Sequence, residues 1–325
     1  MIAEILTFAA CLGSGWFLAR ALTAGAFKGP RWSSLVVELA AGVVFGPGLA
    51  SVIYFALAVA GAATRAGVVA ATAAQLVVCA GIWWRLTPGM KPSPSSSKTP
   101  AWTWALYICA GAALILFLLD FQAATSANPN GDWDAMAVWN VRARFLASGD
   151  LWRRAVSPQM GGGMAGAAHP GYPLFLSAFL ALQWTAAGGF DSIVPMAASL
   201  LFALAALGLL GAGVAVRKSA LLGLLASLIL LASDVFVSQA AAQYSDLLQG
   251  LAFLGALVLL ESADVTPSPR LFAAIGLTAG LSAWIKTRDS YSRPQRSPSR
   301  CGAFVLGARF GWRSEPRPAC SLPLP

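Results

Sequence analysis

The sequence predicts an all-α polytopic membrane protein: a transmembrane helix bundle of about eight spans, with a large extracytoplasmic loop carrying interfacial helices. Three observations lead there. Hydrophobic residues make up 58% of the 325 positions and charged residues 11%, at a mean hydropathy of +0.69, which is far from a soluble domain. The apolar residues fall into runs near the ~20 needed to cross ~30 Å of hydrocarbon. The basic residues cluster at run ends, where they set orientation and meet anionic headgroups. The formal charge of +9 therefore belongs to the lipid bilayer, and no nucleic-acid partner is implied.

The first run, Ile2 to Ala24, starts at once without a basic leader and reads as a span, not a cleaved signal. The second, Leu35 to Ala60, contains Gly46-Pro-Gly48, which predicts a kink or break. Ala66 to Trp84 completes an N-terminal three-span unit, residues 1–101, ending in the flexible linker Lys91-Pro-Ser-Pro-Ser-Ser-Ser-Lys98. A core over residues 102–286 adds the spans Trp102 to Leu119, Ile193 to Val216, Ala220 to Phe236, Ser245 to Leu260 and Leu271 to Ile285. Between the first two of these lies the loop Asp120 to Ser192. Cys11, Cys79 and Cys109 fall inside spans as small packing residues, and with Cys301 and Cys320 they show no metal spacing.

Short loops orient the chain. Lys28 and Arg31, then Arg85, Lys91 and Lys98, then Arg217 and Lys218, then Arg270 fall on one side, and only Arg65 disagrees. The positive-inside rule makes that side cytoplasmic and puts the loop outside, as in a bacterial inner-membrane protein. Tyr172 to Ala187 is apolar enough to be a ninth span. As a span it would carry Arg217 and Lys218 outside and separate Asp246 from Asp134. As an interfacial helix, with Trp184 near the headgroups, it keeps the charge pattern, and this is the expected arrangement. Seven of the thirteen acids (Asp120, Asp132, Asp134, Asp150, Asp191, Asp234 and Asp246) then gather on the outer face.

Chemistry is concentrated in Asn130-Gly-Asp-Trp-Asp-Ala-Met-Ala-Val-Trp-Asn-Val-Arg-Ala-Arg-Phe145, a polar patch in a hydrocarbon-like chain. Ionisable groups set among spans are costly and mark functional sites. Asp132 or Asp134 suits a general base that takes a proton from an acceptor hydroxyl. Arg142 and Arg144 suit a phosphate, since a guanidinium forks two oxygens. The plainer reading is a solvated loop with Trp133, Trp139 and Trp152 as an aromatic belt. Ala168-His-Pro-Gly-Tyr-Pro-Leu174 holds the single histidine, His169, a ligand or simply a loop hydrogen-bonder. Gly161-Gly-Gly-Met-Ala-Gly166 lacks the Gly-Lys-Ser/Thr of a P-loop and reads as a mobile loop. Gln243-Tyr-Ser-Asp-Leu247 opens a span with an acid that is either functional or a helix cap. Ala283-Trp-Ile-Lys286 ends one with a lysine that either meets a phosphate or snorkels.

The order of these motifs over Trp102 to Lys286 resembles the GT-C membrane glycosyltransferases, the group that includes protein mannosyltransferases and lipid A aminoarabinose transferases. The resemblance implies a polyprenyl-phosphate-linked sugar as donor, a glycan, lipid or protein acceptor, and chemistry on the outer face. It matches Asp134 to the first-loop acid, which activates or orients the acceptor, and Asp246 to a second acid that in some relatives helps hold a divalent metal. His169, Tyr172 and Trp139 fall at substrate-binding positions. Arg142, Arg144 and Lys286 fall where the donor phosphate is met. The family's first-loop Asp-Glu pair is Asp134-Ala135 here, so the second carboxylate is missing or replaced by Asp132. The alternative class is a transporter or flippase for a lipid-linked substrate, or a non-catalytic subunit. A transporter predicts midplane charges and two matching halves, whereas these acids gather at one surface and no internal repeat is visible.

After Lys286 the composition changes. Residues 287–325 hold seven of the seventeen arginines and six of the nineteen prolines, on the side where basic segments are disfavoured. Such a run is what an out-of-frame GC-rich gene encodes; a genuine basic disordered tail is the alternative. A product interrupted here would lack part of its donor-lipid groove and be inactive. On the frameshift reading, another frame of the gene encodes further spans after Lys286, and two frames without apolar runs would refute it.

Overall fold

Glycine contacts set the centre of the fold. Helices in lipid gain no hydrophobic drive from touching one another, so close approach through small residues takes its place. In the computed structural model, which describes residues 2–27, 30–87, 103–157 and 172–286, helix α1 (Ile2–Thr23) crosses α2 (Arg31–Val59) at such a contact. Gly15 of α1 lies on Gly42, and the Cys11 carbonyl lies on Gly46, one turn further along α2. A Cβ on any of these glycines would collide with the opposing backbone. The remaining helices are α3 (Arg65–Leu86), α4 (Thr103–Ala127), α5 (Val141–Ala147), α6 (Phe175–Ala187), α7 (Ile193–Arg217), α8 (Ala220–Leu231), α9 (Asp234–Ala242), α10 (Ser245–Val265) and α11 (Pro269–Ile285). Among the described residues there is no strand.

Six helices (α1, α2, α3, α4, α7 and α10) are long and apolar enough to cross a membrane, and α8 with α9 makes a seventh if the bent pair counts as one span. The chain is a multi-pass membrane protein. Large apolar side chains such as Leu6, Val77, Ile108, Leu116, Ile229 and Phe253 lie exposed on the outside of the bundle, where acyl chains would cover them. Of its most apolar window, α2 buries 61% and α4 only 11%, so α2 is the axis and α4 the rim.

Five expectations change. α2 is continuous across Gly46-Pro-Gly48, with no break. A neighbour adds a bond beside the proline: Gln75 Nε2 of α3 donates to the Gly46 carbonyl at 3.0 Å and to Ser14 Oγ of α1 at 2.8 Å. α4 runs past Leu119 to Ala127, because Phe117, Phe121 and Thr125 continue one buried face. Phe117 stacks on Phe236 of α9 at 5.6 Å. The run expected as one span over Ala220 to Phe236 ends at Leu231 and turns through 68° into α9. Ser233 accepts from the Phe236 N–H there, capping a new helix inside what hydropathy reads as one apolar stretch.

The fourth change concerns α6. Its 13 residues rise about 20 Å, too short to cross, so it is not a ninth span. It is enclosed by protein. Every residue from Phe175 to Trp184 is buried, and α6 packs against α1, α2, α3 and α5. A helix that is apolar all round has no polar face to offer headgroups and is buried on all sides. Trp184, expected near the headgroups, is buried and donates to the Asp191 carbonyl at 3.0 Å. α11, expected as a span, has 17 residues and rises about 26 Å, just short of the hydrocarbon thickness.

The helices before the Pro-Ser linker pack on those after it: α2 on α6, α7, α10 and α11, and α1 on α6 and α11. Contacts at the helix ends sort the bundle into two chemical poles. At one, Arg20 pairs with Glu38 at 2.7 Å, Arg217 with Glu261 at 2.9 Å, and Arg270 donates to the Leu86 carbonyl at 2.6 Å. At the other, Lys286 meets Asp246, and Tyr54 donates to the Leu146 carbonyl at 3.2 Å. The linker, the Gly161–Gly166 loop, His169 and residues 287–325 lie outside the described residues.

Replacing Gly46 by Leu should destabilise the bundle by at least the ~1–3 kcal/mol of ordinary overpacking. Thermal unfolding in detergent should show a lower midpoint, while Gly81→Leu, whose Cβ would meet open space, should leave it in place.

Candidate functional site

Two segments far apart in sequence make the site, and a loop-on-turn contact joins them. Asp132 N–H donates to the Ala242 carbonyl at 3.2 Å, and Gln243 Nε2 donates to the Pro129 carbonyl at 3.2 Å. The contact needs two left-handed residues. Gly131 has φ +74° and no room for a Cβ against the Ala242 carbonyl, while Gln243, at φ +62°, ends α9. Asn140 Nδ2 closes the loop onto the Asn130 carbonyl at 3.1 Å. Between Asp134 and α5 the chain winds into a π-helical turn, Ala135–Asn140, a rare conformation that recurs at functional sites.

The docked loop places Asp134 on a groove of about 730 Å³ that Asp246 and Tyr244 also line. Leu210 of α7, Leu230 of α8, Phe236 of α9 and Leu251 and Leu254 of α10 make the rest largely aliphatic or aromatic. Ser233 and Gln239 supply further polar groups. Burial pushes the Tyr244 phenol above its ordinary value of 10.0. The carboxylates of Asp132, Asp134 and Asp246 push it the same way, against the opposing effect of the Asp134 backbone. One phenol thus senses all three acids.

A second chain of contacts leads away from Asp246. Its Oδ1 meets Lys286 Nζ at 2.6 Å, and that ammonium lies 5.8 Å from the Tyr172 ring centre. Tyr172 stacks on Trp139 at 5.7 Å and 16°. Ser177 of α6 donates to the Trp139 carbonyl at 3.0 Å, and Gln249 Nε2 ties α10 to Ser282 of α11 at 2.7 Å. The Asp246 and Lys286 side chains are 49% and 31% exposed, so their pair holds position more than it stabilises.

Of the residues singled out by sequence, Asp132, Asp134, Asp246, Lys286, Tyr172 and Trp139 belong to these two connected sets. The two arginines do not. Arg142, expected at the donor phosphate, is 0% exposed, and its Nε donates to the Ala155 carbonyl at 2.9 Å. Burial lowers its pKa from 12.5 to about 10, still a cation at neutral pH, and it clamps the 3₁₀ turn Gly149–Val156 to α5. The physical reason is helical spacing: Arg142 falls three or four residues from the buried Val138, Trp139 and Leu146, on the packed face. Arg144 lines a separate pocket of about 180 Å³ with Asn130, Met136, Asn140 and Val141. Tyr244, Ser233 and Gln239 become visible as groove residues only with the α8–α9 bend. The Ser233-Asp234 capping pair was the sequence signal for it.

No group of three His, Cys, Asp or Glu side chains comes together among the described residues. A divalent metal on Asp134 and Asp246 would take its remaining ligands from substrate and water. Compared with protein-family models, curated proteins and solved structures, the chain matches none.

Cysteines placed at 134 and 246, in a background lacking the native cysteines, should react with a membrane-impermeant maleimide from the same side of sealed vesicles. Labelling from opposite sides would contradict the shared groove.

Proposed function

We propose that this chain is a membrane glycosyltransferase that moves a sugar from a polyprenyl-phosphate donor to a glycan, lipid or protein acceptor. The observation that carries the reading is the pair Asp134 and Asp246 on a groove otherwise lined mainly by apolar side chains. Such a groove suits a ligand that is hydrocarbon over most of its length and polar at one end. In the reaction, an acceptor hydroxyl oxygen attacks the anomeric carbon while the Asp134 carboxylate takes its proton. The bond from the anomeric carbon to the phosphate oxygen breaks with its electrons going to that oxygen, and the sugar inverts. Lys286, ion-paired with the groove acid Asp246, would meet the charge developing on the leaving phosphate. Its pairing with Asp246 keeps it at the groove until that charge appears.

The pole bearing Arg20, Arg217 and Arg270 is opposite the acids, which supports an extracytoplasmic site in an inner membrane. A lipid-linked substrate transporter is the second reading, and the 68° bend of α8 into α9 at the groove favours it, since broken helices line transport sites.

Purified protein in nanodiscs should transfer radiolabelled sugar from a polyprenyl phosphate. Asp134→Asn should lower that rate by ~10²–10⁴-fold, the usual contribution of a general base. An unchanged rate would remove Asp134 from the mechanism. Lipid translocation in proteoliposomes without sugar transfer would establish the transporter.

A further inference from the structure

The pocket that holds Arg144 is distinct from the groove, and its chemistry is opposite. No residue lines both cavities. Yet they adjoin in sequence: Asn130 and Met136 of the pocket flank Asp134 of the groove in the chain. Two peptide units separate Met136 from Asp134, so their Cα atoms lie within about 7.6 Å. The pocket and the groove are therefore neighbours along the chain at Asp134.

We infer that this pocket, lined by Asn130, Met136, Asn140, Val141 and Arg144, binds an oxyanion, and that the acceptor in the proposed transfer carries a phosphate or carboxylate seated there. The second clause rests on the transferase reading; the first does not. Arg144 presents a guanidinium, the group whose planar fork matches such anions. The guanidinium carbon lies 5.9 Å from the Phe190 ring centre, which holds the fork in place through its flat face. Among the described residues, no carboxylate lies within ion-pairing distance of Arg144. Asn140 is 5% exposed, and its Nδ2 is committed to the Asn130 carbonyl, so the pocket wall is a fixed set of amides. Arg153 and Arg154, both exposed on the 3₁₀ turn after α5, add positive charge to the same loop region. The groove differs in charge: Asp134 and Asp246 line it, and Lys286 is paired with Asp246.

The test uses the full chain in phosphatidylcholine nanodiscs and titrates inorganic phosphate by calorimetry. Saturable binding is expected, weakened at least tenfold by Arg144→Gln and by Asn140→Asp, and changed no more than twofold by Arg153→Gln. Arg144→Gln alters an exposed side chain and should fold even if Asn140→Asp does not. Phosphatidylglycerol nanodiscs separate the sources of the anion. Loss of phosphate affinity there assigns the pocket to a lipid headgroup, and retained affinity assigns it to a free or acceptor-borne phosphate. Farnesyl phosphate separates the two substrates: competition with inorganic phosphate at Arg144 would place the donor in the pocket and overturn the acceptor assignment. Absence of any Arg144-dependent binding, of phosphate or of phosphatidylglycerol, would overturn the inference itself. If phosphate binding follows Arg144 while Asp134→Asn leaves sugar transfer unchanged, the anion site stands and the transferase reading falls.

Discussion

A bilayer offers no water to a buried polar group, so every such group must find its partner inside the protein, and much of this structure follows from that constraint. The spans carry threonines and serines that bond back to their own helices: Thr72 to Val68, Thr278 to Ala274 and Ser262 to Val258. Where a helix loses a backbone bond at Pro47, a neighbouring glutamine supplies one nearby. Buried α6 meets the same demand across helices, with Thr7 donating to Gln183 Oε1 at 2.9 Å and Thr185 sharing a hydrogen with Tyr54 at 2.8 Å. Glycine contacts between α1 and α2 serve the same end, since they bring backbones together where no side chain intervenes.

The site arises where that constraint relaxes. Around the groove the chain leaves α-helical geometry in the Asn128–Asp132 loop, the π turn and the α8–α9 bend, among other places. Irregular backbone at such depth is tolerated only when it is held by protein or lines a cavity. Here both hold: the loop is pinned on the turn at Ala242–Gln243, and the bend opens the groove beneath. The same irregularity separates charge, leaving carboxylates on the groove and an arginine in the neighbouring pocket. A carboxylate beside a hydrocarbon groove and a guanidinium beside an amide-lined pocket are complementary halves for joining a lipid-bound group to an anionic one.

Sequence reading captured the parts of this whose physics is one-dimensional. Apolar runs located α1, α2, α3, α7 and α10 to within a few residues, because hydrocarbon thickness sets a length and hydropathy reports it directly. Asp134, Asp246 and Lys286 stood out because charge among spans is costly and rare. Hydropathy failed where an apolar run hides a cap, as at Ser233, or where a helix continues through polar residues on one packed face, as from Phe117 to Thr125. It also could not tell that the apolar run in α6 meets protein on all sides and not headgroups.

The amino-acid sequence by itself determined that this is a helical multi-pass membrane protein, which residues carry its charge, and which runs are long enough to cross. Those properties depend on composition and spacing along the chain. Only the tertiary structure decided that Asp134 and Asp246 share one groove, that Arg142 is a buried clamp, and that Arg144 belongs to a different pocket. Those outcomes turn on a left-handed Gly131, a left-handed Gln243 and the packing of the segment from Ala135 to Leu146. The two left-handed turns are held by contacts between residues about a hundred positions apart, and pattern along the chain carries no record of them.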